Sequence, residues 1–342
     1  MKTLRNTLFA LLISPFVFYS AQAGEMTLTG DMEVAHTKQD GETGNPIGLE
    51  NEMTISASTE LDNGFSVGYK MTVDANAFDD EELSFGTDYG TIAFTSTGSP
   101  MDANDNITPT AFEEAEYAAS TGYLDTSALA GNGSMGIRYS NTFFGYAVDA
   151  MYTPRYGSGD GSDDGAPSAT VNSSYGNVQE IVVKGNPLSL AGIDGVSMAI
   201  GYGMTEKTLK NQEDAESGLA SIAYTYGPLS VGVQKSLVYY GNNGTGTTAT
   251  VNWVKNTNIG VAYAVNDQLS VSYQETESRK STTADVTGGR HSNSVLLDAE
   301  TWSIAYTLGG LSIKYADSDV SNDAYSAGST STKQTLSVGV AY

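Results

Sequence analysis

Apolar residues alternate with small or polar residues along almost the whole chain from residue 26 onwards. In the first such segment, Met26, Leu28, Met32 and Val34 share one face. This two-residue period indicates β-strands with one apolar face, and helical periodicity is almost absent. The pattern predicts sixteen strands, at residues 26–36, 49–61, 64–75, 82–87, 90–97, 134–140, 143–153, 177–184, 195–205, 216–226, 229–240, 257–265, 269–277, 299–308, 311–318 and 331–342.

The connections between these strands alternate in length. The short ones are 62–63, 88–89, 141–142, 227–228, 266–268 and 309–310, with a longer exception at 185–194. The long polar ones are 37–48, 76–81, 98–133, 154–176, 206–215, 241–256, 278–298 and 319–330. A β-sandwich has no reason to keep this alternation, whereas outer-membrane barrels combine short periplasmic turns with long extracellular loops. We therefore predict an all-β fold, a 16-stranded antiparallel up-and-down transmembrane β-barrel.

The two faces of the strands differ in chemistry. Most aromatic residues share the apolar face, at Tyr69, Phe94, Tyr139, Tyr146, Tyr152, Tyr202, Tyr224, Tyr226, Tyr263, Trp302, Tyr306, Tyr315 and Tyr342. Such rings suit the two lipid–water interfaces, and the opposite face of Ser, Thr, Gly, Asp and Glu suits a watery interior. A sandwich with its aromatics inside is the alternative. Lys235 departs from the pattern by falling on the apolar face, and we expect it near an interface or a subunit contact.

The first 23 residues differ from the rest. Lys2 and Arg5 precede an apolar run from Leu8 to Tyr19, and the small-residue site Ala21-Gln22-Ala23 follows. This is the arrangement of a secretory signal peptide, and the run is too short to span a bilayer as a helix. We predict cleavage after residue 23, leaving 24–342 as one barrel domain.

Composition excludes several functional classes. The chain has no Cys and two His, so disulfide scaffolds, thiolate metal sites and Cys nucleophiles are ruled out. A net charge of -24 argues against nucleic acid as a partner. A hydrolase would need His beside Ser or Asp, but neither His36 nor His291 has such a setting. We predict no enzyme and no cofactor. A secreted or surface structural or adhesin β-protein is the alternative function, although it would not need two contrasting faces.

The third long connection, residues 98–133, is the candidate for narrowing the pore. A barrel of sixteen strands encloses an aqueous channel, and a connection this long is usually functional or disordered. Residues 109–119 could form a short helix with Thr110 at its N-cap. The acidic candidates on this loop are Asp102, Asp105, Glu113, Glu114 and Glu116.

Three segments resemble the general diffusion porins of Gram-negative bacteria, especially the alphaproteobacterial type. They are residues 25–31, 60–68 and 83–94, the last leading into the long third loop. The ending, with Leu336, Val338, Val340 and Tyr342, is similar to the aromatic signal that this family presents to the barrel-assembly machinery. The resemblance implies an outer-membrane homotrimer surrounded by lipid, an inward-folded third loop, and passive diffusion of small hydrophilic solutes.

One departure from the family bears on selectivity. The family commonly sets Arg and Lys on the wall opposite an acidic third loop, whereas Glu33, Glu50 and Glu52 stand about where relatives place Arg. By alternation, the lumen-facing charged candidates are Asp31, Glu33, Glu50, Glu52, Lys70, Asp74, Arg138, Lys314 and Lys333. Carboxylates on both sides would favour cations. We predict a cation-preferring pore; the alternative is that these groups are solvated and barely affect flux.

Other acidic clusters have simpler explanations. Residues 160–165 resemble a calcium loop, but Val171 stands where an EF-hand requires Glu. Segments 79–82, 213–216 and 317–319 are interpreted as solvated connections. Bound Ca²⁺ on the acidic loops is left open, and no metal site is predicted.

Overall fold

The computed structural model describes residues 24–342, except 75–76, 97, 105–106, 113–134, 156–174, 210–211, 242–249, 284–290 and 294. The predicted signal peptide, residues 1–23, therefore lies outside the described residues. Among the residues described, no helix is long and apolar enough to span a membrane.

Antiparallel strands make up nearly all of the described structure. They are β1 (Glu25–Gln39), β2 (Ile47–Glu60), β3 (Ser66–Asp74), β4 (Ala77–Thr87), β5 (Gly90–Thr95), β6 (Gly136–Phe143), β7 (Tyr146–Thr153), β8 (Tyr175–Gly185), β9 (Val196–Lys207), β10 (Ala215–Tyr226), β11 (Leu229–Tyr239), β12 (Thr250–Ala264), β13 (Leu269–Thr283), β14 (His291–Asn293), β15 (Leu297–Leu308), β16 (Leu311–Ser321) and β17 (Thr330–Ala341). Short 3₁₀ turns cover Asp102–Asn104, Ser189–Ala191 and Asp323–Tyr325.

The sheet closes on itself. β1 pairs with β2 on one side and with β17 on the other, and each remaining wall strand pairs with its chain neighbours. Gly30 and Tyr342 exchange backbone hydrogen bonds at this seam, with N···O distances of 3.0 and 2.9 Å. The three-residue β14 pairs with the end of β13, whose main partner is β15. Sixteen strands therefore form the wall, and the predicted up-and-down barrel is confirmed.

The two faces of the wall are those that the alternation predicts. One face exposes large apolar side chains, such as Leu28, Ile200 and Trp302. The other is buried and polar, as at Gln234, Ser272 and Thr301. In a closed barrel the buried polar face is the inner one, because it is concave and its side chains contact one another across the ladders. The apolar face points outward, where lipid would satisfy it.

One predicted turn is wrong. We placed a turn at Asn141-Thr142, but β6 continues through both residues and the chain reverses at Phe144-Gly145. Both turn residues have positive φ, 53° at Phe144 and 84° at Gly145. Two-residue hairpins need such left-handed conformations because their twist matches that of the strands. Gly145 favours this left-handed conformation. Asn141-Thr142 is polar, as turns often are, but its backbone belongs to the β6 strand.

Several strands extend into connections that we interpreted as solvated loops. β12 and β13 reach residues 250 and 283, beyond the predicted 257 and 277. β4 includes the acidic run 79–82, where Asp80 and Glu82 pair with Thr72 and Lys70 on the inner side. Ladder pairing continues wherever backbone partners remain, even where the side chains are charged. The loop interpretation of these residues was therefore wrong.

The prediction of a solvated connection at 317–319 is wrong for the same reason. Asp317 and Asp319 lie within β16, opposite Trp302 and Glu300 on the outer face. Lys235 also lies on the outer face, exposed, between Ala220 and Thr257. Its position at an interface or subunit contact stays a prediction.

Candidate functional site

The inner wall of β1 to β4 is acidic. Cross-strand pairs join Glu33 to Glu50 and Asp31 to Glu52, and Glu52 in turn lies opposite Asp74. Two carboxylates that sequence analysis left in a connection, Asp80 and Glu82, continue this surface on β4. We call these seven inward carboxylates on four neighbouring strands the acidic arc: Asp31, Glu33, Glu50, Glu52, Asp74, Asp80 and Glu82. Lys70 is the basic residue among them, opposite Ser56 and Glu82.

Two of the predicted basic wall residues are held in ion pairs. Arg138 forms a two-pronged hydrogen-bonded pair with Asp149, one strand away on β7, with Nε 2.8 Å from Oδ1. Lys314 Nζ lies 3.1 Å from Glu33 Oε2. Each pair cancels one positive and one negative charge at the wall, so neither base acts as an isolated cation. Lys333 lies on the inner face of β17, opposite Gln39 and Ser318.

The inner wall of β11 to β13 has a different character, because its central positions are uncharged. They are Gly232, Gln234 and Ser236 on β11, Asn256, Asn258 and Gly260 on β12, and Ser272, Gln274, Thr276 and Ser278 on β13. We call this surface the neutral arc. Most of its side chains are buried, and hydrogen bonding among them is extensive, as between Ser278 and Asn256 at 2.6 Å.

The described part of the third long connection lies against the inner wall. We call residues 98–104 and 107–112 the loop segment. Its first contact is Met101, which is fully buried against Val182, Ala199 and Leu219 on three neighbouring strands. The Met101 backbone N–H donates to Glu180 Oε2 at 3.3 Å. Met101 thus packs on a small apolar patch within an otherwise polar inner face.

Gln234 then holds the middle of the loop segment through both ends of its amide. Its Oε1 accepts from the Ile107 backbone N–H at 2.9 Å, and its Nε2 donates to the Asn104 carbonyl at 2.9 Å. Gln234 is 1% exposed. Lys184 Nζ also donates to Asn104 Oδ1, at 3.1 Å. A glutamine that satisfies one backbone donor and one backbone acceptor acts as a short piece of β-ladder.

The next residues cross the neutral arc at two glycines. A Cβ built on Gly232 would lie 2.7 Å from Pro109 Cδ, and one built on Gly260 would lie 2.6 Å from the Pro109 carbonyl oxygen. Any side chain at either position would therefore force the loop segment to move. Gln274 donates to Thr108 Oγ1 at 3.2 Å, and Ser272 Oγ accepts the Ala111 N–H at 2.9 Å.

The loop segment ends beside β16, the penultimate strand. Phe112 is 1% exposed and packs on Ala316 of β16. The Lys314 ammonium lies 5.0 Å from the centre of its ring while it also pairs with Glu33 of β1. A cation over an aromatic face is attracted by the ring quadrupole. One lysine thus joins the first strand, the penultimate strand and the loop segment.

The last long connection also contacts the inner wall. Tyr325 packs against Leu297, Ala299 and Val320, which are inward residues of β15 and β16. Its hydroxyl is 2.7 Å from Ser278 Oγ, and the Lys280 ammonium lies 4.4 Å from its ring centre. Ala324 and Tyr325 both have positive φ, 52° and 59°. A strained backbone of this kind persists only where packing holds it, and here the buried ring does so.

The predicted loop residues are described only in part. Asp102 lies in the 3₁₀ turn, with its N–H bonded to Ser99 Oγ at 3.1 Å. Asp105, Glu113, Glu114 and Glu116 lie outside the described residues, as does the calcium-like run 160–165. The predicted helix is not present at 109–112, where Thr110 Oγ1 accepts the Phe112 N–H at 3.2 Å. Within the described part of the chain, no group of three or more His, Cys, Asp or Glu could hold a metal ion.

Sequence analysis missed several inward residues that shape this site. They are Asp80, Glu82, Asp149, Glu180, Lys184 and Gln234. Alternation counted from the strand centres puts the charged residues Asp149, Glu180 and Lys184 on the inner face, so the sequence does carry a signal for these three. No sequence signal marks Gln234, because its partners lie 127 and 130 residues away.

Comparison with known proteins gives the family. The family model described as Gram-negative porin matches residues 9–342. The chain belongs to the Gram-negative porin family. The resemblance to porins is thereby confirmed, and this porin is an outer-membrane channel for passive diffusion rather than an enzyme. A search of curated proteins gave no significant match.

Solved structures share the fold of this porin at low sequence identity. OmpT, an outer membrane protein of Vibrio cholerae, aligns with a TM-score of 0.66 at 11% identity, covering 95% of this chain and all of that one. The anion-selective porin from Comamonas acidovorans gives 0.63 at 13% identity, covering 93% and 100%. Salmonella typhi OmpF, in complex with daunomycin, gives 0.63 at 11% identity, covering 94% and 98%.

Proposed function

We propose that this porin prefers cations among the small hydrophilic solutes that it passes. The observation that carries the proposal is the acidic arc, seven carboxylates on four neighbouring strands with Lys70 as the base among them. Arg138 and Lys314, which could have opposed it, are engaged with Asp149 and Glu33. Carboxylates lining a pore raise the local concentration of cations and repel anions.

The loop segment supports a second part of the proposal, a narrowed channel. Its described residues contact the inner faces of β8 to β13 and of β16, so the segment would occupy part of the cross-section of the channel. Asp102 belongs to this segment, Asp105 falls between its two parts in the sequence, and Glu113, Glu114 and Glu116 follow it along the chain. The fold does not set the sign of the selectivity, since the Comamonas porin with a similar fold is described as anion-selective. The charges of the wall and of the third long connection would therefore decide the sign.

Assembly completes the proposal. We propose that residues 1–23 direct export and are removed, that Tyr342 is read by the barrel-assembly machinery, and that three copies associate in outer-membrane lipid. OmpT of Vibrio cholerae is known in a trimer form, which supports the trimer here. Membership of the alphaproteobacterial subgroup rests on the resemblance of residues 25–31, 60–68 and 83–94.

Zero-current potential in planar bilayers tests the cation preference. Under a salt gradient near 0.1 M, where the Debye length is about 10 Å, the native channel should give a potential of the sign expected for cations. Glu50→Gln with Glu52→Gln should move it towards zero. The matched control is Glu277→Gln with Glu300→Gln, which removes the same charge from the outer face and should leave the potential unchanged. A native potential of anion sign would refute the proposal.

A further inference from the structure

We infer that Gln234 and the two glycines beside it, Gly232 and Gly260, are positioning residues that fix the pore size by holding the loop segment against the neutral arc. The inference rests on the proposed narrowing of the channel by that segment. It goes further by naming the wall residues that keep the narrowing in one position. None of these residues is charged, so their role concerns the aperture of the pore and not its preference for cations or anions.

The first argument is that Gln234 hydrogen-bonds both a backbone acceptor and a backbone donor of the loop segment. The amide meets the Asn104 carbonyl and the Ile107 N–H at 2.9 Å each, and it is 1% exposed. If the side chain could not bond, a backbone donor and a backbone acceptor would be left unpaired where water has little access. Unpaired buried groups are costly, so the segment would leave the wall and become hydrated.

The second argument is steric and independent of hydrogen bonding. Pro109 approaches β11 and β12 more closely than any side chain there would allow, since a Cβ at Gly232 would lie 2.7 Å from its ring atom Cδ and one at Gly260 would lie 2.6 Å from its carbonyl oxygen. Proline has a fixed φ and little freedom to adapt. Two facing glycines on paired strands therefore form a shallow groove, and the loop segment lies in it.

Two variants remove the two supports separately. Gln234→Met keeps the volume and the neutral charge but removes both hydrogen bonds, and Gly232→Ala keeps the hydrogen bonds but fills the groove. In each we expect the equilibrium constant for attachment of the loop segment to the wall to fall by about tenfold or more. Single-channel recordings should show larger steps that flicker between two levels. Liposome swelling should show entry of larger neutral sugars, while the zero-current potential keeps its sign.

Matched controls carry the same chemical changes away from the loop segment. Gly218→Ala adds a methyl group on the outer face of β10, where the nearest other atom is 3.8 Å away. Gln39→Met changes an inward glutamine of β1, opposite Lys333. Both controls should behave as the native protein. Heat-modifiable mobility on gels reports barrel formation in every variant. If both Gln234→Met and Gly232→Ala form barrels with native steps and a native size limit, the inference is wrong.

A crosslink tests the position without relying on conduction. The chain has no Cys, so an introduced pair would be its sole thiols. The Oγ atoms of Thr110 and Ser272 lie 3.4 Å apart, and a shift of about 1–2 Å would bring two sulfurs at these positions to disulfide geometry. Thr110→Cys with Ser272→Cys should link in folded barrels, as seen by mass spectrometry, whereas Thr110→Cys with Gly218→Cys should not. Linked barrels that form no channel would refute the proposed function alone. Failure to link in folded barrels would refute the inference.

Discussion

At the scale of single residues, the wall is organised by which charges have partners. Lys314 contacts both Glu33 and Phe112, with Nζ 3.1 Å from the carboxylate oxygen and 5.0 Å from the ring centre. Glu33 is 9% exposed. A carboxylate buried to that extent depends on its cation, whereas the better hydrated members of the acidic arc do not.

Lys314→Met should therefore destabilise the barrel. Loss of a hydrogen bond to a charged group costs about 1.5–3 kcal/mol, and lumen water places this case towards the lower end. The midpoint temperature for loss of heat-modifiable mobility would measure the effect. Lys70→Met, the same change opposite Ser56 and Glu82 on β3, is the control and should shift the midpoint little. Equal shifts in the two variants would show that the Glu33 pair contributes nothing.

Burial of Met101 gives a second expectation at this scale. Its side chain is fully buried on Val182, Ala199 and Leu219. Met101→Ala would leave a cavity, and such truncations cost about 2–5 kcal/mol in protein cores. Because the cavity lies between wall and loop, this energy should be lost from loop attachment and not from the barrel. Protease cleavage within 98–112 should speed up while the midpoint stays native; Met135→Ala, which truncates an exposed methionine, is the control.

At the scale of elements, the hairpin between β6 and β7 depends on a left-handed glycine. Gly145 has φ of 84° and nothing within 4 Å of the position of a Cβ, and Gly44 has equal space without a positive φ. Gly145→Ala should destabilise the barrel by about 1–2 kcal/mol, and Gly44→Ala should be neutral or slightly stabilising. The comparison isolates backbone conformation from steric space. Equal midpoints would mean that this turn is not strained by a side chain.

The strands and their connections differ in how much of their structure can be predicted from the sequence. Parity along a strand survives errors at its ends, so the inward positions of Glu50, Glu52 and Asp74 follow from alternation alone. The turn at Phe144-Gly145 is not evident from composition, because Asn141-Thr142 has the polarity of a turn and only the glycine indicates a left-handed conformation. The attachment of the loop segment could not be predicted, since it depends on which strands face it across the barrel. Periodicity fixes the face of a residue but not its partner from a distant segment.

At the scale of the whole molecule, closure of the barrel brings the first strand to the last. Gly30 and Tyr342 exchange both backbone bonds, and a Cβ on Gly30 would lie 3.1 Å from the Tyr342 ring. Tyr342→Ser should lower the fraction of heat-modifiable barrel in outer membranes if the ring is the assembly signal, and Tyr342→Phe should retain it. The same yield for Ser and Phe would remove the aromatic ring from assembly.

The attachment of the loop segment also has an order in time. Met101, Ile107, Ala111 and Glu33 meet their partners across 79, 127, 161 and 281 residues of chain. Contacts so distant in sequence form late, because every intervening strand must first be in place. During assembly the channel is therefore wide until the loop segment attaches to the wall. The aperture is finished only when β17 pairs with β1 and Lys314 of β16 reaches Glu33, so completion of the wall and completion of the filter are the same event.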